Sequence, residues 1–200
     1  MKNFQKLPIY LIAALTFGFV SCESEDPVPE NDGELITDVT LNFQELDGGG
    51  SPVGTPFSAK ASDPEGIETG GSPTIETVNL QSGKKYRMTI EVANSIAGED
   101  ITEEILAEGD EHQFFFLGTA FIPENILSIV YDDPSGELIG LQNELTVSTT
   151  PSTNNVQLRV VLRHDLAKNF PGATNPNFAT YEQAGGETDL DLTFPVVIGN

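Results

Sequence analysis

The chain of 200 residues has no tryptophan, one cysteine, two histidines, and nine Lys and Arg set against 31 Asp and Glu. Each scarcity excludes something. One cysteine permits no disulfide within the chain, so stability has to come from the core, a bound ion or both. With a formal net charge of −22, the chain lacks the basic footprint of a nucleic-acid binder and repels anionic membrane surfaces. Such a field suits cations or cationic partners, although a simply solvated surface is the blander account. There is no Gly-x-Ser-x-Gly elbow, no phosphate loop and no thiol nucleophile in the folded part, so no enzymatic activity is expected. Acidic neighbours such as Glu103 and Glu104 read as a solvated helix face, not an acid–base pair. The longest apolar stretch, Ile9 to Val20, falls short of the roughly 20 residues of a membrane-spanning helix.

That stretch reads as the apolar segment of a secretory leader over residues 1–21, with Lys2 and Lys6 as its positive start and small Ser21 at its end. The lone cysteine, Cys22, follows directly. Phe19-Val20-Ser21-Cys22 resembles the lipobox of bacterial lipoproteins, with Phe19 where that box usually has Leu. The resemblance implies that Cys22 is acylated and becomes the first mature residue; an ordinary secreted protein with a free thiol is the alternative. Removing the two leader lysines takes the formal charge from −22 to −24. Residues 22–33, Cys22 to Gly33, carry acidic residues and two prolines without apolar periodicity. They read as a disordered tether reaching on the order of 35 Å when stretched. The acidic start of this tether resembles the export signal that sends Bacteroidetes lipoproteins to the outer face of the outer membrane. A periplasm-facing lipoprotein with a plain linker is the alternative.

Residues 34–200 read as one all-β domain. Val39, Leu41 and Phe43 alternate with polar residues, as do Tyr86 to Val92, Val156 to Leu162 and Leu190 to Val196. Period two marks strands with one face on a core and one in water. Shorter strands are expected at Phe57–Ala61, Thr74–Leu80, Gln113–Leu117, Ile126–Tyr131 and Leu138–Val147, separated by Gly- and Pro-rich turns. About nine strands at this spacing predict an antiparallel β-sandwich of Ig-like or Greek-key type, with a barrel as the alternative. Ile126–Tyr131 and Leu138–Val147 form the expected hairpin. One short helix is expected over residues 101–108, with Asp100 as N-cap, Glu103 reaching back to it and Gly109 in the C′ position. The run Phe114-Phe115-Phe116 reads as a strand buried on both faces in preference to an aromatic sugar platform. Asp165 to Gly186 is long for a loop, and such loops are usually functional or mobile.

Several blocks resemble those of short, mostly uncharacterised Bacteroidetes outer-membrane lipoproteins. They are Glu34 to Leu41, Glu99 to Glu104, Asp110 to Phe116, Leu162-Arg163-His164 and Gly185 to Leu190. The resemblance spans most of residues 34–198 and implies lipid anchoring without an established activity. Some members carry the label of a type 1 periplasmic binding fold, which means two lobes of alternating strands and helices. The chain is too short and too strand-rich for that architecture.

The chemistry worth testing gathers around the two histidines. His112 follows Glu108, Asp110 and Glu111, and His164 precedes Asp165, both at expected strand ends. Two imidazoles with carboxylates suit zinc or another divalent transition metal, with Glu187 or Asp189 completing the set. The spacing is no known zinc signature. His164 also continues the core-facing parity of Leu158, Val160 and Leu162, which fits a hydrogen-bonded rim histidine. Asp132, Asp133 and Glu137, or Asp63 and Glu65, could hold calcium in a turn, although turns favour Asp without an ion. The functional expectation is a non-enzymatic binding or accessory module anchored to the membrane by lipid. It would capture a small ligand or divalent metal, for instance for an outer-membrane receptor or transporter. A structural or protein-interaction lipoprotein is the alternative.

Overall fold

In the computed structural model, residues 35–67 and 72–199 are described, and the expected leader, the expected lipidation site Cys22 and the expected tether lie outside them. Among the described residues, eleven strands form two sheets. They are β1 (Asp38–Leu46), β2 (Phe57–Ser62), β3 (Thr74–Ile75), β4 (Val78–Gln81), β5 (Lys85–Asn94), β6 (Glu99–Asp100), β7 (Gln113–Leu117), β8 (Leu127–Tyr131), β9 (Gln142–Val147), β10 (Asn155–His164) and β11 (Glu187–Gly199). The single α-helix among the described residues is α1 (Ile101–Ala107). The larger sheet runs β3-β2-β1-β5-β9-β8, with β6 alongside β5; the smaller runs β4-β11-β10-β7. The fold is all-β with two sheets, as the alternation predicts, and not the two-lobed α/β architecture of the periplasmic-binding label.

Where alternation is clean, the expected strands form. In β5 every second residue from Tyr86 to Val92 is buried, and β10 does the same from Val156 to Leu162. These residues meet Val39, Leu41, Phe43, Leu192, Phe194 and Val196 in one core between the sheets. The β8–β9 hairpin pairs Leu127 with Val147 and Tyr131 with Asn143.

Three expectations need correction. The stretch Thr74–Leu80 is two strands: Thr74 and Ile75 pair with β2, whereas Val78 to Gln81 cross to the other sheet and run parallel to β11. Sandwich strands are therefore not all antiparallel, because a chain arriving by crossover can lie parallel to its neighbour. Strand β9 starts at Gln142, not Leu138. Gly140 has a φ of 89°, and a Cβ there would sit 2.9 Å from Phe114 Cβ and 3.0 Å from the Tyr131 ring. Asp133 holds this bend open by accepting N–H bonds from Ile139, Gly140 and Gln142. Helix α1 is capped by Asp100 Oδ1, which accepts the Thr102 N–H at 3.0 Å, while Glu103 stays exposed. Gly109 follows the C-cap Glu108 and so holds the expected C′ position, but without a left-handed φ; a Cβ there would meet Ile139 Cδ1 at 2.6 Å.

The long segment 165–186 is a third layer. All five residues of β7 are buried. Phe114 and Phe116 face the main core, while Phe115 and Leu117 join Val161, Leu166, Ala173, Tyr181 and Ala184 in a second apolar cluster. This strap is pinned at many points. Phe116 N donates to Pro176 O at 2.7 Å, Gln113 Nε2 to Ala173 O at 2.6 Å, and Asn177 Nδ2 to Phe116 O at 2.6 Å. The Tyr181 ring stacks on Phe115 with centroids 5.6 Å apart, and the Arg159 and Arg163 guanidinium groups lie 5.9 and 5.5 Å from its centre. Burial lowers the Lys168 pKa, partly offset by Glu137, Asp133 and Asp110, and its amine donates to the carbonyls of Gly109 and Leu138.

Candidate functional site

Strands β7 and β10 pair from Leu117↔Arg159 to Gln113↔Arg163, and the next residue on each is a histidine. His112 and His164 thus stand side by side beyond the last rung, as cross-strand neighbours do. Both continue the core-facing parity of Phe114 and Leu162, so they close one end of the main core. Their rings stack with centroids 4.4 Å apart and planes 7° from parallel. His112 is buried, and its Nδ1 lies 3.3 Å from the Glu108 carbonyl.

Carboxylates surround the pair from three directions. Past α1, the turn bonds Glu111 N and His112 N to Glu108 O, which presents Glu108 and Glu111. Glu108 Oε2 lies 3.8 Å from His112 Nδ1, and Glu111 Oε2 lies 3.4 Å from His164 Nε2. At the start of the strap, Asp165 (φ 56°) brings its Oδ1 to 3.9 Å from the same nitrogen. Asp189 arrives by a bulge: Leu162 pairs with Leu190 but Arg163 pairs with Thr188, leaving Asp189 as the extra residue. Bulges re-aim side chains, and here Asp189 Oδ2 is 3.8 Å from His112 Nε2. Burial pushes the Asp189 carboxyl pKa up; His164, His112 and Arg163 pull it back, and Glu187 adds to the rise. The strap closes on itself at this point: Gly186, at φ 73°, packs so tightly on His164 O and Leu166 N that no side chain fits.

Six of the seven residues singled out as metal ligands therefore meet at one rim: Glu108, Glu111, His112, His164, Asp165 and Asp189. Glu187 stands opposite His164 in the register and acts on Asp189 only through its charge. One ligand atom from each of Glu108, His112 and His164 lies within 4.8 Å of the others, and the same holds for Glu111, His164 and Asp165. A tetrahedral ion with bonds of about 2.1 Å wants neighbouring ligand atoms about 3.4 Å apart, a closure that exposed carboxylates supply by changing rotamer. The rings are the constraint. In-plane lone pairs of two parallel imidazoles do not meet at a point, so both can hold one ion only if one ring turns. His164, 16% exposed at its side chain against 9% for His112, is the freer.

Three of the five turn carboxylates considered for calcium are already engaged. Asp133 accepts the three N–H bonds given above, Asp132 Oδ2 accepts from Gln142 Nε2 at 3.1 Å, and Asp63 Oδ1 accepts from Glu65 N at 3.0 Å. These are the local bonds for which turns select Asp.

The sequence reading missed a cleft of about 470 Å³ at the opposite end of the sandwich, lined by the end of β1, the start of β2, β4 and Tyr86. Its lining comes from segments far apart in the chain, so no local pattern announces it. This cleft and the cluster of ligating groups thus lie at different places.

No protein-family model, curated protein or solved structure matches the chain. Among the described residues no helix is long and apolar enough to cross a membrane.

Proposed function

We propose that this chain is a lipid-anchored outer-membrane lipoprotein acting as a non-enzymatic accessory module, which captures a divalent transition metal at the His112–His164 rim. The observation that carries the reading is convergence. Two imidazoles and four carboxylates, delivered by a helix end, two strand ends and a bulge, gather at one rim. A half-buried Asp189 carboxylate beside His112 favours positive charge, because desolvation penalises the anion unless a cation compensates. Imidazole and carboxylate together suit zinc or copper better than calcium. An outer-membrane receptor or transporter is the partner to which such a module would pass its cargo, and the lipid on Cys22 would keep it near one.

Calorimetric titration of the full chain with Zn²⁺ and with Cu²⁺ tests this. The expected result is one site, lost in the His112→Ala/His164→Ala variant. If the wild type takes up neither ion, the capture reading fails.

The parallel stack supports a second reading, in which the histidines only brace the fold of a structural or interaction lipoprotein. In that case the double variant loses thermal stability, and metal changes the melting temperature of neither protein.

A further inference from the structure

The cleft at the far end differs in kind from the histidine rim. Among the described residues that line it, Glu45 alone is charged, and Lys84 Nζ neutralises that carboxylate at 2.7 Å. In a molecule of net charge −22 this is a patch without uncompensated charge, which disfavours a metal ion or an anion as occupant. The wall is a row of uncharged hydrogen-bonding groups. Val78 and Leu80 of β4 turn into the core, and the alternate residues Thr77, Asn79 and Gln81 line the cleft. Asn79 Nδ2 donates to Thr77 O at 3.1 Å, which fixes the amide and leaves its oxygen to accept. Tyr86 accepts the Gln81 N–H at 3.1 Å through its hydroxyl, which retains its own proton to donate.

The floor is aromatic. Phe57, only partly buried, stacks on Phe43 with centroids 5.1 Å apart and meets Tyr86 edge-on at 6.0 Å. A purely apolar ligand would leave the row of amides and hydroxyls covered and unpaired, at a net loss. A ligand with many hydroxyls and a C–H face matches both surfaces. The volume, about 470 Å³, falls in the range of small-molecule sites.

From this we infer that the cleft binds a neutral carbohydrate, with hydroxyls against the Thr77, Asn79 and Gln81 row and a ring face against Phe57. The site shares no residue with the histidine rim, so the two readings stand or fall separately. The full chain, in a detergent without a sugar headgroup, is titrated with maltotriose, cellotriose and chitotriose, with glucose 6-phosphate as charged control. The expected result is binding of at least one trisaccharide with Kd of about 1 mM or tighter, and none of the phosphate ester. Asn79→Ala/Gln81→Ala, two exposed substitutions that leave the core intact, weakens binding about tenfold. His112→Ala/His164→Ala leaves it unchanged. The inference is overturned if none of the three sugars binds at about 10 mM, or if the Asn79→Ala/Gln81→Ala variant binds as tightly as the wild type.

Discussion

Asp38 opens β1 with its side chain 7% exposed, and Lys60 Nζ sits 2.6 Å away. Ser62 Oγ and Thr37 Oγ1 donate to the same carboxylate at 2.7 and 2.9 Å. Burial alone would raise its pKa, but the bonds from Lys60, Ser95, Ser62 and Thr37 outweigh burial and hold it well below the ordinary 3.8. A carboxyl whose pKa is lowered on folding stabilises the native state fully above its unfolded value, and that contribution drains away as pH falls through the folded value. Asp38→Asn should therefore cost about 2 kcal/mol at pH 7, discounted from a fully buried pair because Lys60 is half-exposed. Urea midpoints of wild type and variant should draw together as pH falls from 4 toward 2. A gap of constant size from pH 7 to pH 2 would show that the ionised form of Asp38 has no special worth. None of this was legible in the sequence. Asp38 looks like any other acid in an acidic chain, and only the β1–β2 register sets it beside Ser62 and near Lys60.

At the scale of elements, β7 and the strap share one structural role. Five consecutive buried residues with no alternation read as a strand covered on both sides, and the second cover is the segment 165–186. The strap itself gives no period to read: Leu166, Ala173, Tyr181 and Ala184 touch the outer face of the sheet at irregular intervals. Phe115→Ala removes the centre of that contact and should destabilise by about 3–5 kcal/mol. The loss should be local. Hydrogen exchange at strap amides such as those of Ala167, Ala173 and Phe178 should quicken far more than at β1 and β5, because the strap then opens as its own unit. Uniform quickening across both sheets would mean that strap and sandwich unfold as one. The split of Thr74–Leu80 had a sequence sign, since Ile75 and Val78 break the parity that one strand would keep. The histidine rim was half legible. Parity and flanking acids pointed to His112, His164 and their neighbours. The ring stack and the Asp189 bulge depend on register between strands far apart in the chain, which no local pattern encodes.

As a whole, the domain has two unlike ends. The start of β1 at Asp38, α1 and the histidine rim share one end; the charge-balanced cleft occupies the other. The chain's formal charge is −22, and that bears on the lipid anchor proposed above. An acidic protein gains nothing from anionic headgroups, whose attraction is reserved for Lys and Arg clusters, so the proposed attachment would rest on the lipid. Each buried methylene of an acyl chain contributes about 0.8 kcal/mol, and a single chain holds only marginally, so lasting attachment needs more than one. Washing membranes in high salt should then leave the wild-type chain in place, whereas Cys22→Ser should move it to the soluble fraction or leave its leader uncut. Fractionation followed by intact mass of the N-terminal fragment reads both outcomes, since acylation adds a mass that a bare thiol lacks. A wild-type chain recovered soluble with an unmodified Cys22 would remove the anchor from this account. So would a Cys22→Ser chain that stays membrane-bound after salt, because something other than the lipid would then be holding it.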